Sequence, residues 1–156
     1  MADARRLAQG LSEEEADLLT GPEASIHTDE YQRALARYYS AHIYRLKTVP
    51  SEILQSQQSV DLDTYRQLWG PNECTVTGRL RDYDCSQRLN ELCCPVLYVC
   101  GRYDEATPET VAYYHQQTAR SSFAVFEESA HFPHLSEKIS YLKVLDRYLA
   151  TVDAER

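Results

Sequence analysis

Apolar and polar residues along this chain change their spacing once. Through the first seventy residues apolar side chains recur at helical intervals, and from about residue 95 short continuous apolar runs alternate with helical segments. "SEEEADLL" opens with a capping box of Ser12 and Glu15, and "GPEAS" after it predicts a turn. "DEYQRALARYYSAHIYRL" predicts a helix from an Asp29 cap to Leu46, with Tyr31, Leu35, Tyr38, Tyr39, His42 and Leu46 near one face. Pro50 ends that helix, "QSQQS" reads as a polar connection, and "DTYRQLW" as a shorter helix running up to the Gly70-Pro71 break.

The later half reads as strand, helix, strand, helix. "PVLYVC" is a valine-rich apolar run of the kind found in strands buried on both faces of a parallel sheet. "PETVAYYHQQTAR" predicts a helix with Pro108 in its first turn, "SSFAVFEE" a second strand, and "SEKISYLKVLDRYLATV" a terminal amphipathic helix with Ile139, Leu142, Leu145 and Leu149 on one face. Two strands cannot cover a doubly wound sheet unaided, so these elements are expected to be part of a larger sheet.

Composition narrows the classes of function. A hydrophobic share of 43% with 10% aromatics is that of a folded protein, and 156 residues suffice for a domain with a core. A formal charge of −8 without a Lys/Arg-rich run argues against nucleic acid or an anionic membrane surface as partner, since both require a clustered cationic face. No apolar stretch approaches the roughly 18 to 20 residues of a membrane span, and the start "MADARRLAQGLSEEEADLL" lacks the apolar centre of a secretory signal. A cytoplasmic protein is expected. Cys74, Cys85, Cys93, Cys94 and Cys100 are odd in number and lack a CxxC or finger spacing, which predicts reduced thiols and neither a disulfide framework nor a metal site.

Candidate chemistry gathers at two places. "CGRYDEATP" ends a strand on adjacent carboxylates, Asp104 and Glu105, and "ESAHFPHLSE" sets His131 after the second strand. Read locally, Asp104 and Glu105 could equally cap the helix beginning near Pro108, Glu73 could be a solvated turn residue, and His134 a loop or packing residue. His42 and His115 fall in helical patterns as surface or core histidines, and the tyrosines between residues 31 and 44 read as packing or as a substrate platform.

The two motifs, in this order and at this interval, resemble the end of proline iminopeptidase-type α/β-hydrolases, a family of serine aminopeptidases. "WGPNECTVTGRLRDYDCSQRL" is similar to the stretch that leads in that family from a helical cap domain back to the core. The resemblance implies an α/β fold: the carboxyl-terminal portion of an α/β-hydrolase, two core strands with helices, preceded by a helical cap segment. Residues 1–75 would be the cap and 76–156 the core. It also implies roles: Asp104 as triad acid, His131 as general base, and Glu73 and Glu105 as the carboxylates that hold a substrate's free amino terminus. The family's Phe after the first glutamate is Cys74 here.

No serine is flanked by glycines as in G-x-S-x-G, and no HGG-type oxyanion loop occurs. The family's order is Ser, Asp, His, so the nucleophile is expected upstream of residue 1 and this chain alone is expected to be inactive. The leading expectation is the carboxyl-terminal half of an aminopeptidase, without cofactor, acting on peptides or amino-acid amides once joined by an amino-terminal hydrolase half. The alternatives are a noncatalytic interaction protein that self-associates, and an α/β-hydrolase of esterase or other amidase specificity.

Overall fold

In the computed structural model, residues 7, 11–21 and 26–155 are described. They include eight-residue α1 (Glu13–Thr20), α2 (Asp29–Tyr38) with a π-helical turn (Tyr39–Ile43), α3 (Ser51–Gln58) and α4 (Leu62–Leu68). A 3-10 turn (Ser86–Glu91), β1 (Val96–Gly101), α5 (Pro108–Gln117), β2 (Ser121–Phe126), α6 (Pro133–Ser136) and α7 (Lys138–Ala154) follow. The chain divides into two compact units: residues 1–40 with 46–83, and residues 41–45 with 84–156.

In the first unit the predicted capping box of α1 is present, with Ser12 and Glu15 bonded reciprocally. Of the turn expected at "GPEAS", Gly21 closes α1 and the rest lies outside the described residues. Helix α2 departs from the sequence expectation in two ways. Its cap is Thr28, whose hydroxyl accepts the Tyr31 amide, and Asp29 occupies the first turn. Its α-helical geometry ends at Tyr38, where the π-turn takes an extra residue per turn and rotates the following side chains off the predicted stripe. The buried residues are therefore Tyr31, Ala34 and Tyr38. Pro50 ends one segment and also caps the next, so the polar "QSQQS" stretch is largely helical in α3, which buries Ile53 and turns its glutamines to solvent.

Tyr31 organises this unit. Its side chain is 1% exposed, and Asn72 Nδ2 donates to its hydroxyl at 3.0 Å. That hydroxyl lies 2.5 Å from Thr75 Oγ1, which in turn donates to the Leu19 carbonyl at 3.5 Å. A single directed chain thus ties α1 and α2 to the loop after α4.

In the second unit β1 and β2 pair in parallel, in register from Val96 with Ser121 to Gly101 with Phe126. Helix α5 packs on both strands with Pro108 in its first turn, and α7 packs on β2. The face of α7 that packs is not the predicted one: the Tyr141 ring lies tilted against Phe126, while Ile139, Leu142 and Leu149 are 73%, 45% and 49% exposed. Position 146 on the predicted face is Asp, and the aromatic rings of Tyr141 and Tyr148 supply more area to the opposite side. No helix among the described residues is long and apolar enough to cross a membrane.

Tyr31→Phe is expected to cost about 1–3 kcal/mol, the range for leaving buried polar partners unsatisfied. The only tryptophan, Trp69, lies in the same unit, so its fluorescence during urea unfolding reports the loss as a lowered midpoint.

Candidate active site

Parallel pairing delivers the carboxyl ends of both strands to one side, and the loops that leave them meet there. After Gly101 the chain turns tightly, with the Asp104 amide bonding back to the Gly101 carbonyl. Asp104 is 4% exposed, and its Oδ2 accepts the Gly101 amide at 3.3 Å and its Oδ1 the Ala106 amide at 2.9 Å. The helix that follows is capped by Thr107, whose hydroxyl accepts the Thr110 amide, so the reading of Asp104 as the cap of α5 is replaced by a loop-closing role.

His131 Nδ1 stands 2.9 Å from the same Asp104 Oδ1. A carboxylate already taking a backbone N–H on each oxygen acts as acceptor, so the imidazole proton sits on Nδ1 and the lone pair of the neutral ring on Nε2. That is the tautomer of a general base. The pair is asymmetric in its exposure: the imidazole side chain is 45% exposed and the aspartate side chain 5%.

Close approach of the two loops depends on Gly101. A Cβ there would overlap the carbonyls of Ser129 and Ala130, both backbone atoms that cannot swing aside. With no side chain in the way, the Tyr103 amide donates to the Ser129 carbonyl at 3.0 Å. Arg102 and Glu127, the first residues past the strands, add a bidentate ion pair that contributes little at its exposure.

A third segment was not foreseen from sequence. Residues 41–45 belong to the second unit and touch both loops. The Ile43 carbonyl accepts the His131 amide at 3.1 Å, and His42 Nδ1 donates to the Tyr103 carbonyl at 2.8 Å. Tyr44 stacks on Phe132 with centroids 5.7 Å apart, and the Arg45 guanidinium lies 3.5 Å over the Tyr103 ring. Arg45 adopts φ +33°, a left-handed conformation that costs an arginine about 1 kcal/mol, and the cation–π contact offsets it. The only sequence signal was the tyrosine run itself, which splits between packing (Tyr31, Tyr38) and contacts at the candidate residues (Tyr39, Tyr44). The exposed His134 lies edge-on to Phe132 and Tyr141.

Glu73 lies in the first unit, on the turn "GPNEC". Gly70 enters that turn at φ +138°, where a Cβ would meet the Thr75 carbonyl, and Asn72 Oδ1 folds it by accepting the Cys74 and Thr75 amides. Backbone bonds from Gly78, Arg79 and Leu80 to Trp69, Gln67 and Leu68 close its base. The Glu73 carboxylate takes the Tyr39 hydroxyl on Oε2 and the Tyr65 hydroxyl at 2.9 Å on Oε1. Burial, then the adjacent Glu73 charge, pushes the Tyr39 phenol far above its usual range, so it remains a donor. Glu105 is half-buried in the second unit, beside Asp104.

Cys100 is buried in β1, and burial together with the Asp104 charge pushes its thiol up from 9.0 to about 12. It is not a nucleophile at neutral pH.

The chain is 40% identical over 126 residues to a proline iminopeptidase of Heyndrickxia coagulans, a match covering 80% of this chain and 44% of the relative. It is 32% identical over 124 residues to the proline iminopeptidase of Saccharolobus solfataricus, covering 79% and 40%. Among solved structures, that of VinJ superposes with a TM-score of 0.87 at 30% identity, covering 97% of this chain and 53% of that one. The proline iminopeptidase of Mycobacterium smegmatis superposes at 0.86 and 28% identity, covering 99% and 53%. No family model matches. The chain thus spans less than half the length of these curated relatives.

Parallel strands whose ends bring an aspartate and a histidine together, with these likenesses, define a partial α/β-hydrolase. Within that class the chain is similar to the proline iminopeptidases over part of their length.

Iodoacetamide at pH 8 is expected to label the exposed Cys85, Cys93 and Cys94 in the native chain and to spare Cys100, as read by peptide mass spectrometry. Because the unfolded thiol ionises near 9 and the folded one near 12, the folded state holds a proton that the unfolded state gives up over that interval. Stability should therefore fall as pH rises from 9 toward 12, and the fall in urea midpoint should shrink in Cys100→Ala.

Proposed function

We propose that this chain supplies the acid, the base and the amine-recognising carboxylates of a prolyl aminopeptidase-like serine hydrolase. The observation that carries this reading is the 2.9 Å contact between His131 Nδ1 and a buried Asp104. In this reading residues 1–75 are the helical cap segment and 76–156 the carboxyl-terminal part of the core. An amino-terminal hydrolase portion contributes the serine, since the G-x-S-x-G elbow does not occur in this sequence.

His131 Nε2 accepts the serine proton as the hydroxyl oxygen attacks the carbonyl of the substrate's first residue. Asp104 keeps the proton on Nδ1 in place and stabilises the imidazolium. The imidazolium then protonates the leaving amine, and a water attacks the acyl-enzyme by the same route. This acyl transfer requires no metal or other cofactor. The substrate is a peptide or amino-acid amide with a free amino terminus. Glu73 and Glu105 receive its ammonium; the two phenols on Glu73 occupy one acceptor position on each oxygen and leave the others for N–H donors. Such charge-assisted bonds contribute about 1.5–3 kcal/mol. The exposed thiols support a reducing compartment, the cytoplasm.

A noncatalytic, self-associating chain is the second reading, favoured by the exposed apolar row Ile139, Leu142 and Leu149. Sedimentation velocity separates the two: a stable homo-oligomer that refuses a separately expressed amino-terminal hydrolase portion supports the second.

On mixing with that portion, hydrolysis of a proline aryl amide is expected to appear and to drop at least about a thousandfold in His131→Ala. Glu73→Gln and Glu105→Gln should each raise KM for the amine substrate about ten- to a hundredfold while leaving a simple acyl ester unaffected. Equal losses on both substrates would point to an esterase or another amidase.

A further inference from the structure

The loop that carries His131 is held by a contact that neither the triad nor the amine site uses. Ser129 is fully buried, and each of its polar groups is engaged. Its amide donates to the Phe126 carbonyl at 3.3 Å, and its carbonyl accepts from Tyr103, one residue before Asp104. Its hydroxyl donates to Glu137 Oε2 at 2.5 Å. With that proton committed, Ser129 Oγ is left to accept from Ser136 Oγ, 2.6 Å away, whose single proton is shared with the Phe132 carbonyl at 3.1 Å. The same Glu137 Oε2 also accepts the Glu128 amide at 3.1 Å.

The direction in which Glu137 points is informative. It occupies the N-cap position of α7, where a carboxylate ordinarily bonds the exposed amides of its own helix. It makes no such bond and reaches back to residues 128 and 129 instead. Among the described residues its carboxylate is in no ion pair, so its partners are a buried hydroxyl and an amide of the histidine loop. Charge-assisted hydrogen bonds of this kind are shorter and stronger than neutral ones. The loop from Phe126 to Glu137 is thereby closed at its base, with His131 at its crest and the Ser129 carbonyl fastened to the aspartate loop.

We infer that Ser129 and Glu137 are positioning residues: their bracket sets the imidazole of His131 at bonding distance from Asp104. Without it the Ser129 hydroxyl loses its acceptor in a dry site, the loop base opens, and the ring is no longer held in line with a fixed carboxylate. The role as an aid to catalysis rests on the acid–base reading above, but the geometry can be tested without turnover.

The experiment is NMR on the whole chain with nitrogen-15 histidine, following the Nδ1 proton that His131 donates to Asp104. Asp104→Asn should abolish that signal; its persistence there sinks the acid–base reading and not the bracket. Glu137→Ala and Ser129→Ala are expected to lose it, or to speed its exchange with water about tenfold or more. Amide signals of Val99 and Ala124 in the paired strands should stay in place, and Glu137→Gln, which keeps an acceptor, should restore part of the signal. An unchanged Nδ1 proton in both alanine variants overturns the inference, as does its loss only together with the strand signals. If Glu137→Ala does not fold, Ser129→Ala decides by the same two readouts. Should the wild type show no Nδ1 proton, exchange of the Tyr103 amide decides: opened by Ser129→Ala if the bracket stands, unchanged if it does not.

Discussion

Two loops can share one proton-bearing contact only if their backbones come close enough, and here that depends on the hydrogen at the Cα of Gly101. Parallel pairing in register brings Gly101 and Phe126 to the same level, so both loops begin at one edge of the sheet. From there the Tyr103 amide and the Ser129 carbonyl close the gap, and Asp104 and His131 fall within bonding distance as a consequence. A methyl group at position 101 would press on two carbonyls and separate the loops before either side chain could respond.

Around that contact, each polar atom has a defined task. Asp104 is buried, yet its oxygens are met by two backbone amides and an imidazole, so desolvation of the carboxylate is compensated by donors that the fold supplies. Cys100, one residue before the glycine, is buried and remains a neutral thiol. Burial first, and then the same negative charge that orients the histidine, keep the cysteine protonated. Exposure of the imidazole is of the same origin, because its Asp104 side is enclosed by the loops while the rest of the ring stands at the surface.

The first unit solves a parallel problem with different parts. Glu73 is presented by a turn that glycine permits and an asparagine folds, and the turn is anchored through Tyr31 to the interior of the helices. Two tyrosine hydroxyls then hold the carboxylate still without neutralising it. Donors that carry no charge fix the direction of an anion and leave its field available to a cation.

The sequence by itself determined the order of elements, the capping box at Ser12, the two strands, and the pair Asp104 and His131, because strand ends and their loops are local features with local signatures. It also carried the turn before Glu73, through the Gly70-Pro71 break. What it could not carry was the π-turn after Tyr38, the helix through "QSQQS", and the packed face of α7, since each was decided by which competing face found a partner. Nor could it join Ile43 to His131 or Glu137 to Ser129, and the reason is physical: these bonds run between a backbone carbonyl or a common surface side chain and a loop, and neither has a preference until the fold brings its partner near.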